Sequence, residues 1–397
     1  MPQAKLKQSL DTVLEYTTQR FGGAPGVVAM VTDRDGNIYE GAAGKRELGK
    51  DQPMTADSVF AIFSTTKAIA GTAMMQLVEE GKVRLEDAAR KYVPEIAEVG
   101  VLTGFDANGQ PQTRPPRRDI TINDLMLHTA GFSYEFFSAD DLRYRTAKNI
   151  PTIVSSTRAA FKSVLLFDPG ERWSYGVNID WLGMIVEQQR GKRLGEVMAE
   201  RIFAQLGITD TAFTMTDSMK ARRVTIHDRA ADGKLTPLPD LALPQPPEFD
   251  SGGGGLYGTV GDYMKFIRMI LNDGNGPNGR VLKAETVQRM CQDGLKPMGL
   301  SSGGWTTSIP SLSNSGDLFP GLDKGWAYTF QFNREPAPTG RPAGQVAWAG
   351  LANCYYWIDR QTGVGGYWAT QILPFQDAAS YPGYVDFESA VYRGLKA

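Results

Sequence analysis

Phe63-Ser64-Thr65-Thr66-Lys67 stands at the head of an Ala-rich apolar run, Ala68 to Glu80, and its reading decides the fold. The run has helical composition and stops at Gly81, where a left-handed residue closes a helix without a Cβ penalty. Three positions separate Ser64 from Lys67, so on a helix their side chains share one face, a turn apart. A Ser hydroxyl becomes a nucleophile once a base takes its proton. Lys is such a base when burial or nearby cations depress its pKa. The apolar run that follows Lys67 offers that burial. S-x-x-K also describes a Ser or Thr cap beside a solvated Lys, so the rest of the chain has to decide.

The 397 residues suffice for one large domain or two, and 42% hydrophobic with 22% charged residues is an ordinary soluble balance. A net charge of −2 carries no footprint for nucleic acid. The densest basic cluster, Arg114-Pro115-Pro116-Arg117-Arg118, reads as a solvated loop. Met1 to Lys7 has no apolar core of signal-peptide length and no run approaches a membrane span, so a cytoplasmic protein without membrane contact is expected. Two distant cysteines, Cys291 and Cys354, exclude a disulfide framework and a Cys-based metal site. With two histidines, His128 and His227, any Ser-His-Asp or His-zinc site must use one or both.

In chain order, Lys5 to Arg20 reads as an amphipathic helix. Val27 to Thr32 and Ile38 to Ala43, joined by Asp33-Arg34-Asp35-Gly36-Asn37, read as a β-hairpin. Val59 to Phe63 arrives extended at Ser64. A short helix runs to Tyr92, and residues 104–118 hold a Gly/Pro/Gln/Arg-rich loop. Thr121 and Asp124 form a capping pair for a helix ending at His128. A turn at Asp168 to Arg172 presents Trp173-Ser174-Tyr175-Gly176-Val177-Asn178. Next comes a long helix with Ile179, Leu182, Ile185 and Val186 on one face, and a further helix closes at Phe203 to Ile208. Residues 229–250 read as an extended connection. Trp326 to Phe330, Gln345 to Gly350, Cys354 to Ile358 and Val364 to Gln371 read as an antiparallel meander, with a closing helix over Phe387 to Tyr392. The terminal segments, 1–85 and 250–397, would share one sheet. Residues 86–249 would form a mostly helical insertion, with a cleft between the two.

Three motifs compete with Ser64. Gly299-Leu300-Ser301-Ser302-Gly303 matches the G-x-S-x-G elbow, but it follows a helix and a loop, leads into no helix, and has both histidines before it. Ser301 therefore reads as a loop serine. Ser251-Gly252-Gly253-Gly254-Gly255 lacks the Lys-Ser/Thr of a phosphate loop and reads as close backbone packing. His128 reads as a helix-end residue able to bond the last carbonyls, and His227 as a strand or surface residue.

The ordered set decides. Ser64-Thr65-Thr66-Lys67, Leu127-His128-Thr129-Ala130-Gly131, Trp173 to Asn178 and Trp348-Ala349-Gly350 together resemble the serine β-lactamase/penicillin-recognising superfamily in its class C-like branch. Within that branch the chain resembles family VIII carboxylesterases and the acyltransferases of fungal statin biosynthesis. The resemblance spans essentially the whole chain, including Thr370-Gln371-Ile372-Leu373-Pro374-Phe375.

The resemblance implies an α/β (α+β) fold, an antiparallel sheet flanked by helices plus an inserted helical domain. It implies Ser64 as acylated nucleophile, Lys67 as its base, and Tyr175 as the proton shuttle. Backbone N–H groups of Ser64 and Leu351 would form the oxyanion hole. Trp348, Gly350 and Asn178 are its substrate-binding candidates, Asn178 one position later than the Tyr-x-Asn of penicillin-directed relatives. Phe132, Tyr134, Phe136 and Phe137, just past Gly131, are candidate pocket walls. Trp348 stands where those relatives carry a cation for the antibiotic's carboxylate. A neutral indole favours neutral acyl esters as the small-molecule substrate. The expectation is a carboxylesterase that uses no metal or cofactor. Acyl transfer to an alcohol or amine, a weak β-lactamase activity and a non-catalytic penicillin-binding-like module are the alternatives.

Overall fold

In the computed structural model, which describes residues 3–396, alternation along the late strands decides the layering. Met1 and Pro2, the start of the N-terminal stretch read above, and Ala397 lie outside the described residues. The chain begins with α1 (Gln3–Gln19), β1 (Gly26–Thr32) and β2 (Asn37–Gly44), then β3 (Val59–Ala61) and α2 (Thr66–Glu79). The middle contributes α3 (Ile122–Leu127) and α4 (Asn178–Arg190). Next come β4 (Tyr257–Thr259), α5 (Val260–Leu271), β5 (Lys324–Ala327), β6 (Phe330–Asn333), β7 (Gln345–Gly350), β8 (Cys354–Asp359), β9 (Val364–Ala369) and α6 (Ser380–Lys396).

The main sheet has seven strands in the order β5-β6-β7-β8-β9-β1-β2, each pair antiparallel. Its centre joins the two ends of the chain, with Val28 opposite Ala369 and Met30 opposite Tyr367. Successive side chains of a strand point to opposite faces. On β8, Tyr355 and Trp357 therefore pack on Tyr384 and Phe387 of α6, while Tyr356 packs on Tyr263 of α5. Tyr367 and Trp368 of β9 divide the same way. Helices thus cover both faces, α1 with α6 on one and α5 on the other, which is why β1, β8 and β9 are buried along their whole length. Helix α2 is buried nearly all round and packs on α4, in the interior where its Ala-rich, uniformly apolar composition belongs.

Several elements differ from the reading by sequence. The stretch 326–330 is two strands rather than one: β5 and β6 fold back on each other through Tyr328-Thr329, with Thr329 at φ 69°. The loop 104–118 contains the end of a hairpin, Val101–Phe105 with Pro111–Arg114. Its basic cluster is solvated, as read, and also paired: Arg114 grips Asp168, Arg117 reaches Glu171, and Arg118 forks onto Asp124. Within the connection 229–250, Leu235–Leu238 pairs with Ile226–Arg229. His227 on that strand is buried instead of lying at the surface. The short helix before Pro94 is a 3-10 turn, Ala89–Lys91, and the closing helix extends well beyond Phe387 to Tyr392. The Thr121–Asp124 capping box is present as expected. No helix among the described residues is long and apolar enough to cross a membrane.

Candidate active site

Strand β3 pairs with β4 (Ala61 opposite Tyr257) and delivers the chain to Ser64. Phe63 has φ 42°, a left-handed conformation that a bulky side chain rarely adopts, so strain sits beside the serine. One 3-10 turn, Phe63–Thr65, carries Ser64 half-exposed at the mouth of α2. The spacing to Lys67 then places Nζ 3.1 Å from Ser64 Oγ.

Lys67 is fully buried. Its Nζ donates to the Gly253 carbonyl (2.6 Å) and to the Tyr134 hydroxyl (2.9 Å). Among the described residues no carboxylate lies within ion-pair distance of it. Burial pulls its pKa down to about 7, with the more distant charge of Asp180 acting the other way. At neutral pH a large fraction of this amine is therefore uncharged. A neutral amine has two N–H groups and one lone pair. With Gly253 and Tyr134 accepting two N–H groups, the third direction at Nζ faces Ser64 Oγ, an N–H in the ammonium and the lone pair in the neutral amine.

Tyr175 reaches the same point from the turn before α4. Its ring lies under the amine, 4.6 Å from Lys67 Nζ to the centroid, and Tyr175 lines the same cavity as Ser64. Trp348 Nε1 donates to the Tyr175 hydroxyl at 2.9 Å. Burial holds the Tyr175 phenol well above its ordinary pKa, so it keeps its proton across the neutral range. The His128 ring packs against Tyr175 (centroids 4.8 Å apart) and edge-on to Trp326. The Asn178 amide and the Gly176 N–H both point at His128 Nδ1, at 2.8 and 3.4 Å, which places the proton of the neutral ring on Nε2. Burial, and after it the charge of Lys67, lowers the pKa of His128 well below normal.

A cavity of about 400 Å³ opens over Ser64, walled by Phe136, Phe137, Trp173, Tyr175, Trp305 and Trp348. Ser133, Ser174 and Thr306 also line it, and no charged side chain among the described residues does. Gly350 and Leu351 form part of its wall beside Ser64. A second recess of about 40 Å³ meets the first at Ser64, Phe136 and Leu351, and is otherwise lined mainly by apolar groups such as Val154 and Leu243.

Sequence reasoning named Ser64, Lys67, Tyr175, Trp348, Gly350, Leu351, Phe136 and Phe137, and the structure brings them together. Asn178 does not belong with them: it is fully buried and its amide is turned to His128, because the first position of α4 points into the fold. Phe132 is also misplaced as a wall; its buried ring stacks on Trp181 in the core. Tyr134 is more than a wall, since its hydroxyl meets Lys67. His128 does not bond the last carbonyls of α3 through its ring. It is the left-handed residue that closes the helix, at φ 56°. Ser301 lies at the rim of the cavity, where its Oγ accepts from Arg334, and neither histidine contacts it. The glycine run packs closely, as read, and its Gly253 carbonyl also binds Lys67. Trp305 and Phe375 escaped notice because they sit in loops without a periodic signal.

The Beta-lactamase family profile matches residues 14–388. The chain belongs to that family. Among curated proteins it is 30% identical to lovastatin esterase of Penicillium rubens, over 95% of this chain and 96% of the relative. It is 29% identical to monacolin J acid methylbutanoyltransferase of Aspergillus terreus, over 93% and 91%. Among solved structures it superposes on a simvastatin synthase mutant from Aspergillus terreus with a TM-score of 0.85, at 28% identity, covering 98% of this chain and 94% of that one. The fold is β-lactamase-like, and the chain falls among serine-type hydrolases and acyltransferases.

Proposed function

We propose that this protein is a serine carboxylesterase that cleaves short-to-medium acyl esters through an acyl-enzyme on Ser64. The observation that carries the reading is the buried Lys67 amine, whose other two partners leave its lone pair for the Ser64 hydroxyl. Lys67 Nζ takes the proton as Oγ attacks the ester carbonyl, and the C–O bond to the alcohol breaks. Tyr175 gives its hydroxyl proton to the departing alkoxide, and its phenolate oxygen is reprotonated at the expense of the nearby Lys67 ammonium. The Trp348 N–H, occupying one lone pair of the Tyr175 oxygen, keeps that phenol aimed. Water then repeats the sequence in reverse on the acyl-enzyme. The carbonyl oxygen would sit between the amides of Ser64 and Leu351, where one such donor is worth about 2.7–4 kcal/mol. The uncharged aromatic cavity favours a neutral ester over a carboxylate-bearing β-lactam.

Acyl transfer to an alcohol acceptor is the second reading. One relative, 29% identical, is named a methylbutanoyltransferase, which supports this reading. Incubation with p-nitrophenyl butyrate tests the main reading. A burst of nitrophenol and a butyryl mass increment on the Ser64 peptide are expected, with activity abolished in Ser64→Ala and kept in Ser301→Ala. Unchanged turnover in Ser64→Ala would sink it. An added alcohol converted to its butyrate faster than water is acylated would favour the transferase.

A further inference from the structure

We propose that Asp180 is a positioning residue for Lys67: its buried carboxylate holds the turn whose carbonyl receives the amine, and supplies the negative charge facing the ammonium once Ser64 has given up its proton. This rests on the reading of Ser64 and Lys67 just given.

Asp180 lies in the first turn of α4 and is fully buried. Its Oδ1 accepts the Ser251 hydroxyl at 2.6 Å and the Gly253 N–H at 2.9 Å. Across the same residue, the Gly253 carbonyl accepts Lys67 Nζ at 2.6 Å. Carboxylate, turn and amine therefore form one chain of buried hydrogen bonds. A Cβ on residue 253 would collide with the Asp180 carboxylate, so a glycine is required where turn and acid meet. This gives the glycine run a task beyond packing.

A tether alone does not need a charge. Asn or Ser would accept from Gly253 at a lower desolvation cost. Asp180 Oδ2 has no hydrogen-bond partner among the described residues, a costly state that a structural role leaves unexplained. The groups facing Lys67 account for it. Tyr134 and Tyr175 offer an ammonium only their ring faces and His128 is a neutral imidazole, so none of them carries an opposite charge. Asp180 does: its field raises the proton affinity of Lys67 against burial, and Lys67 in turn opposes the burial that raises the pKa of Asp180. When the serine proton arrives on Lys67, the new cation and the Asp180 carboxylate favour each other's charged forms, the kind of fixed electrostatic partner that preorganised catalysis uses.

Asp180→Asn separates charge from tether, because the amide oxygen can still accept from Ser251 and Gly253. Losing the anion lowers the pKa of Lys67, so the acid limb of kcat/KM for p-nitrophenyl butyrate is expected to move to lower pH. A folded Asp180→Asn protein with the wild-type acid limb would overturn the proposal. Should that variant not fold, Ser251→Ala decides, since it keeps the carboxylate and frees one of its two bonds. A fall in kcat on the order of 10-fold at unchanged KM supports the proposal, and wild-type kcat refutes it. Ser64→Ala is run beside both. If it stays active the esterase reading is at fault, and if it is inactive the outcome bears on Asp180 alone.

Discussion

Lys67 shows what a buried amine costs the fold. In the unfolded chain it keeps a proton up to its ordinary pKa of 10.5, whereas in the folded protein it releases it at about 7. Between those values the unfolded state binds more protons, so stability rises with pH by up to about 1.4 kcal/mol per unit from this group; below 7 both states are protonated and the contribution is flat. Lys67→Met has no such slope. Urea unfolding at pH 7 and pH 9 is expected to show wild type gaining on Lys67→Met, and parallel pH profiles would refute the depressed pKa. Activity follows from the same group: kcat/KM should fall below pH 7 as the amine becomes charged. Ser64 and Lys67 were legible in the sequence because their relation is local, three positions on a helix. Tyr175 needed the ordered motifs of the family. Tyr134 was read only as a pocket wall, and neither its bond to Lys67 nor that of the Gly253 carbonyl was legible. The tyrosine looked like any aromatic in Phe132-Ser133-Tyr134-Glu135-Phe136-Phe137, and a carbonyl is contributed by every residue alike.

At the level of elements, the edge of the site is made by the end of β7 lying against the turn that carries Ser64. Gly350 is the last residue of β7, and a Cβ there would strike the Ile62 carbonyl. Gly350→Ala must therefore push the strand, and the Leu351 amide with it, away from Ser64. The expected result is a loss of about 1–3 kcal/mol of stability, typical of an overpacked site, and a fall in kcat larger than any rise in KM. Urea unfolding and ester kinetics on one preparation check both; a wild-type kcat would mean that the spacing of β7 from Ser64 is not critical. Elements with strong punctuation were legible, such as the β1–β2 hairpin around Asp33 to Asn37 and the capped α3. The β5–β6 turn was not. Tyr328-Thr329 contains no Gly, Pro, Asn or Asp, and the left-handed Thr329 is imposed by its surroundings rather than signalled by composition.

Across the whole molecule, residues from the first, middle and last parts of the chain must meet within hydrogen-bond distance, so the site is only as firm as the links between those parts. Gln371 is such a link. It follows β9, 310 positions from Ala61, and its side chain accepts the Ala61 N–H and donates to the Ala61 carbonyl, both at 3.1 Å. The edge of β3 not paired with β4 is thereby tied to the main sheet, three residues before Ser64. Its backbone carbonyl also accepts from His227, joining the Ile226–Arg229 strand to the same point. The resemblance covered Thr370-Gln371 without giving it a task, because a bond between residues so far apart has no periodicity to betray it. Gln371→Leu preserves bulk but leaves two buried backbone groups of Ala61 unsatisfied, at about 1–3 kcal/mol each. The expected outcome is a lower urea midpoint and, in the protein that remains folded, reduced kcat with KM nearly unchanged, since the aromatic cavity is untouched while Ser64 loses its fixed distance from β7. An equal loss of stability with wild-type kcat would show that Ser64 is held by α2 and the Gly253 turn without help from the sheet.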